Sequence, residues 1–185
     1  MLILGSGRIA SLLPEAYRAI RDIRRISVWN VNADSASRMI DRLRKDGHDA
    51  VGVSDLEQAV RNADIISSAT LATAPLIKGE WLQPGVHVDL IGSFTPTMRE
   101  ADDEAVARSA VFVDTYDALD EAGDLVHPIN AGILSREGVK GSLAELCNGA
   151  VHGRQSRDDI TMFKAVGTAL ADLAAASLIY KGWRG

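Results

Sequence analysis

The amino-terminal residues Met1-Leu2-Ile3-Leu4 run straight into Gly5-Ser6-Gly7-Arg8-Ile9-Ala10, a GxGxxA pattern. A glycine at the first position permits a tight turn, and one at the second lets the backbone come close to a ligand. The small Ala10 lets the following helix pack against the strand. The N–H groups of Arg8 and Ile9, at the start of that helix, then face outward to an anion. The chemistry this serves is holding the pyrophosphate of a dinucleotide. The pattern alone is weak, and the strand before it and helix after it give it weight.

A site selective for NAD carries an acidic residue roughly 20 residues further on, bonded to the ribose 2′-OH. Here the second strand ends Val28-Trp29-Asn30-Val31-Asn32, without a carboxylate. An uncharged Asn30 does not repel a 2′-phosphate, and Arg38 on the next helix is a candidate to meet one. The balance tips slightly toward NADP(H), with use of both coenzymes open.

These residues need a scaffold of alternating strands and helices, and the apolar spacing predicts one. Strands are expected at Met1–Leu4, Ile26–Asn30, Ala50–Val53, Asp64–Ser68, Val86–Ile91 and Ala110–Asp114. Helices are expected over Arg8–Arg21, with Pro14 kinking the first, then Asp34–Lys45, a stretch from the Ser54-Asp55-Leu56-Glu57 capping box to Asn62, and Glu100–Arg108. An irregular glycine-rich stretch follows, with a second capping box at Ser142-Leu143-Ala144-Glu145. A long alanine- and leucine-rich helix is expected from Asp159 to Tyr180. Short connections between alternating elements imply an α/β fold, a doubly wound parallel sheet of Rossmann type with a long C-terminal helix. Residues 1–150 are expected to form the dinucleotide-binding domain and 151–185 a closing segment.

Composition narrows the function classes. The formal net charge of −5 argues against a general nucleic-acid binder. A single cysteine, Cys147, rules out an internal disulfide and fits a reducing, cytoplasmic setting. No apolar run approaches the roughly 20 residues that cross a bilayer. His48, His87, His127 and His152 are scattered without metal-ligand spacing, so no metal is expected. Cys147 is placed on an apolar helix face and read as core. The broad apolar face of the last helix favours self-association.

Two longer blocks, "ADIISSATLATAPLIKGEWLQPGVHVDLIGSFTPTMREAD" and "GRQSRDDITMFKAVGTALADLAAA", follow the GxGxxA loop in that order. Together they resemble the ornithine cyclodeaminase/μ-crystallin family over essentially the whole chain, and "GSFTPTMRE" is most similar to its pyrroline-carboxylate reductase branch. The resemblance implies NAD(P)H-dependent reduction of a small imino acid, such as Δ1-pyrroline-2-carboxylate, to the amino acid. It also implies that the chain is the C-terminal, coenzyme-binding portion. A preceding substrate and dimerisation domain would supply the lysine and arginines that meet the substrate carboxylate, so this portion by itself is expected to bind coenzyme without turnover.

Within that resemblance, Thr70 lies beside the ribose and nicotinamide, although a helix cap would use the same residue type. Ser93 follows Gly92 where cyclodeaminases carry an aspartate that acts on the substrate amine. Ser93 is the one candidate catalytic residue, and its other role would be to satisfy the strand-end backbone. A serine there argues against conversion of ornithine to proline and ammonia, the rival activity. A second rival is a non-enzymatic nucleotide- and ligand-binding protein like μ-crystallin. Arg154 and its neighbours would lie on the nicotinamide side, or Arg154 would anchor its loop through backbone carbonyls. Arg99 and Glu100 are expected to be a surface or cap pair. Lys164 is expected to lie in the last helix as a solvated residue, and Gly167 to let that helix approach the sheet.

Overall fold

The computed structural model describes residues 1–184. The strands are β1 (Leu2–Leu4), β2 (Ile26–Trp29), β3 (Ala50–Gly52), β4 (Ile65–Ser68), β5 (His87–Leu90), β6 (Ala110–Val113), β7 (Gly141–Ser142) and β8 (Thr161–Lys164). The helices are α1 (Arg8–Arg18), α2 (Ala33–Lys45), α3 (Leu56–Arg61), α4 (Asp103–Ala107), α5 (Ala118–Glu121), α6 (Gly123–Asn130), α7 (Leu143–Asn148) and α8 (Ala169–Arg184). All strands run parallel in one sheet of order β3-β2-β1-β4-β5-β8-β6-β7. The chain is therefore the expected doubly wound α/β fold. β1 lies inside the sheet, and Leu2, Ile3 and Leu4 are all fully buried. A parallel strand covered on both faces needs such an unbroken apolar run.

The two faces carry separate cores. Ile3, Ile26 and Val28 pack beneath α1 and α2 with Leu13, Met39, Ile40 and Leu43. On the other face Leu2, Leu4, Ile66, Val88, Leu90, Val111 and Met162 pack against residues of α3 to α6. Local chemistry starts several helices. Asn32 accepts from the Ser35 N–H to cap α2, and Asp55, one residue after the expected Ser54, accepts from the Gln58 N–H to cap α3. Ser142 and Glu145 form the predicted capping box of α7. Pro14 is accommodated, buried, inside α1, which stops at Arg18 rather than Arg21.

The carboxy-terminal region departs from expectation. Thr161–Lys164 is not the first turn of a long helix but β8, hydrogen-bonded between β5 and β6. Asp159 does not cap a helix. Its Oδ2 accepts from the N–H groups of Gln155 and Ser156, closing a loop that delivers the strand. Gly167 has φ +88 and turns the chain from β8 toward α8. The segment after residue 150 is thus part of the sheet, and only α8 stands apart. From Ala169 to Trp183 every residue of α8 is exposed, including Leu170, Leu173, Ile179 and Trp183. α4 likewise starts at Asp103, which leaves Glu100 in the segment before it. Among the described residues no helix is long and apolar enough to cross a membrane.

Candidate functional site

All strands being parallel, their carboxyl ends open on one side, where a ligand settles in sheets of this kind. The β1–α1 turn lies there. Gly5 adopts φ +99, and its N–H donates to the Trp29 carbonyl at 2.9 Å. A Cβ on Gly5 would sit 2.6 Å from the Ala69 carbonyl oxygen, so glycine is required by both conformation and space. Gly7 caps α1 in extended geometry, with no side-chain cap and no acid in the first turn. A Cβ on Gly7 would meet nothing within 4 Å. The first N–H groups of α1, those of Arg8 and Ile9 included, therefore have no capping side chain, and the space beside Gly7 is open. Arg8 and Ile9 are exposed, while Ala10 is buried against the sheet. An open cradle of amides at the positive end of a helix dipole fits the diphosphate bridge of a dinucleotide.

At the end of β2, Asn30 is half-buried, and its side-chain amide donates to the Asn32 carbonyl at 3.2 Å. Arg38 donates to the Ser35 hydroxyl at 2.7 Å on the exposed face of α2.

The ends of β4 and β5 meet around a buried charge cluster. Glu100 is fully buried, and its carboxylate accepts from the Ser68 hydroxyl, from the N–H and hydroxyl of Thr70, and from the Gly92 N–H. The Thr70 hydroxyl is therefore directed to Glu100. Asp124, also fully buried, accepts through Oδ1 from the N–H groups of Glu100 and Ala101 at 2.7 and 3.0 Å. Its Oδ2 has no hydrogen-bond partner and lies 3.7 Å from the Lys164 ammonium. Lys164 is fully buried in β8 and donates to the Leu90 carbonyl at 3.1 Å. Burial pushes the Asp124 carboxyl above its ordinary value and the Lys164 ammonium below its own. Ser93 stands at the expected strand end but is fully buried, and its hydroxyl donates to the Met98 carbonyl at 2.5 Å.

Sequence reasoning missed this cluster. Arg99 pairs with Asp103 at 2.6 Å, and Glu100 turns the other way, into the core. No local signal in the run Thr-Met-Phe-Lys marked its lysine as buried. Arg154 lies at the opposite, amino-terminal end of the strands, bonded to the Val86 and Asp159 carbonyls and the Thr161 hydroxyl. It borders a concavity of about 690 Å³ with Tyr17, His87 and Phe163, and so anchors its loop away from the phosphate turn. His87 shares a hydrogen bond with Thr161, and burial lowers its pKa. Cys147 is exposed rather than core, and α7 as a whole buries none of its side chains. Among the described residues no group of three His, Cys, Asp or Glu side chains is placed to hold a metal ion.

A family model described as the ornithine cyclodeaminase/mu-crystallin family matches residues 1–185. The Δ(1)-pyrroline-2-carboxylate reductase of Paracoccus denitrificans is 46% identical over 181 residues, covering 97% of this chain and 57% of the relative. The structure of Thermococcus litoralis Δ(1)-pyrroline-2-carboxylate reductase in complex with NADH and L-proline superimposes with a TM-score of 0.94 at 31% identity. That match covers 97% of this chain and 56% of the other. Iminosuccinate reductase of Paracoccus denitrificans in complex with NAD+ gives a TM-score of 0.90 at 27% identity over 97% of this chain and 55% of the other. The chain thus spans little more than half the length of the relatives it matches. Both solved relatives carry NAD(H), and they lend no support to the lean toward NADP(H).

Proposed function

The chain belongs to the ornithine cyclodeaminase/mu-crystallin family, and on that premise we propose that it is the coenzyme-binding part of a cytoplasmic enzyme that reduces a small imino acid, of the Δ1-pyrroline-2-carboxylate type, to the amino acid. The observation that carries this reading is the open Gly5–Ala10 turn, whose first helical amides have no capping side chain. When bound, reduced nicotinamide supplies the hydride for the imine carbon. Gly5, Gly7, Arg8, Ile9 and Ala10 hold the diphosphate, and Asn30 faces the adenosine ribose. The β4 and β5 ends, at Thr70 and Gly92-Ser93, form the wall on the nicotinamide side. The Ser93 hydroxyl is taken up by Met98, so its part here is to fix that wall and not to move a proton. No carboxylate stands at position 93 to act on a substrate amine, which favours imine reduction over cyclodeamination.

The test is a fluorescence titration of the purified chain with NADH and NADPH. Saturable binding of at least one coenzyme is expected, and no binding of either overturns the reading. Asn30→Asp is expected to shift the NADH-to-NADPH preference about tenfold toward NADH, because a carboxylate bonds the 2′-OH and repels a 2′-phosphate. An unchanged ratio would mean that β2 ends away from the ribose.

A further inference from the structure

Glu100 sits between β5 and α4, beyond the reach of solvent, and its charge is met by donors from two strand ends. Oε1 accepts from Ser68 Oγ at 2.6 Å, Thr70 N at 2.7 Å and Thr70 Oγ1 at 2.8 Å, while Oε2 accepts from Gly92 N at 2.7 Å. One carboxylate thus ties the chain leaving β4 to the chain leaving β5. The tie is tight. A Cβ on Gly92 would come within 2.0 Å of the Thr70 carbonyl oxygen and 2.5 Å of Glu100 Oε1. Asp124 holds the tie from behind through the Glu100 N–H, and Lys164 holds the Leu90 carbonyl just before Gly92. An apolar side chain would fill this volume without the desolvation cost of a charge. What the carboxylate adds is direction, because its two oxygens fix the separation of the Thr70 and Gly92 amides.

We propose that Glu100 is a positioning residue for the nicotinamide half of the dinucleotide. It sets the width of the crevice between the β4 and β5 ends, while the diphosphate is held at the β1–α1 turn. This assignment rests on the dinucleotide-binding reading. Glu100→Gln keeps the volume but offers a single acceptor oxygen, and turns an N–H donor toward an amide donor.

The experiment titrates the wild-type chain and the variant with NADH and with ADP-ribose, which lacks the nicotinamide. Glu100→Gln is expected to raise the Kd for NADH about tenfold and to leave that for ADP-ribose within about twofold. Ser68→Ala removes one donor outside the crevice and serves if Glu100→Gln does not fold. Its expected split is the same in direction and about threefold in size. Equal weakening of both ligands, or unchanged NADH affinity in a folded variant, overturns the positioning role. A wild-type chain that binds neither ligand overturns the dinucleotide reading itself, and the two failures are therefore distinct.

Discussion

Replacing Lys164 with methionine lowers the stability of the fold by about 3–5 kcal/mol at neutral pH and by less as the pH falls. Methionine fills much of the same space but leaves the Asp124 carboxylate buried, with Oδ2 facing no cation. In the wild type the Lys164 ammonium, 3.7 Å away, is the charge that offsets it. Burial already holds the Asp124 carboxyl above its ordinary value, and the buried Glu100 adds to that rise. Removing the ammonium takes it higher. A carboxyl whose folded pKa lies above its unfolded value contributes stability that is fully present below the unfolded value and lost as the pH rises through the folded one. The deficit of the variant therefore grows from the acid side toward neutrality. Denaturant midpoints of both proteins between about pH 4 and pH 8 test this. A deficit that stays constant across that range would reduce Lys164 to packing. Adding Asp124→Asn to Lys164→Met is expected to recover part of the loss at neutral pH, since it removes the stranded charge.

The second large effect separates two glycines that the GxG spacing alone would treat alike. Gly7→Ala is expected to fold with an unchanged denaturant midpoint, because Gly7 is extended and its Cβ meets nothing. The same methyl group stands where a diphosphate would approach, so the NADH Kd is expected to rise about tenfold or more. Gly5→Ala should instead destabilise the fold itself, by about 1–3 kcal/mol, through its left-handed φ and the Ala69 carbonyl at 2.6 Å. Paired unfolding curves and NADH titrations distinguish the two. Unimpaired NADH binding by Gly7→Ala would remove the ligand from this turn.

The front of the fold was legible because local signals agree there. β1 is uniformly apolar, the glycine turn follows it, and α2 shows inward positions Ala36, Met39, Ile40 and Leu43 at helical spacing. β8 was not legible, because its sequence does not alternate and it ends in a lysine. Lys164 is compatible with a strand interior only once Asp124 and the Leu90 carbonyl surround it, and those lie 40 and 74 residues away. Glu100 was misjudged for the same reason. Its donors come from Ser68, Thr70 and Gly92, and nothing in the run Thr-Met-Arg-Glu indicates that they converge. Ser93 was located correctly at the strand end, but which way its hydroxyl points depends on the Met98 carbonyl, a feature of the turn and not of spacing.

The seating of β8 between β5 and β6 has a consequence for assembly. During synthesis β6 emerges about fifty residues before the strand that joins it to β5. Until then both carry open parallel edges, and closing so long a loop makes the contact order high and the final step slow. A nascent chain in that interval exposes strand borders able to capture a neighbour. Sequestration of those borders, by a chaperone or by the rest of a longer polypeptide, would govern yield more than the stability of the finished sheet does.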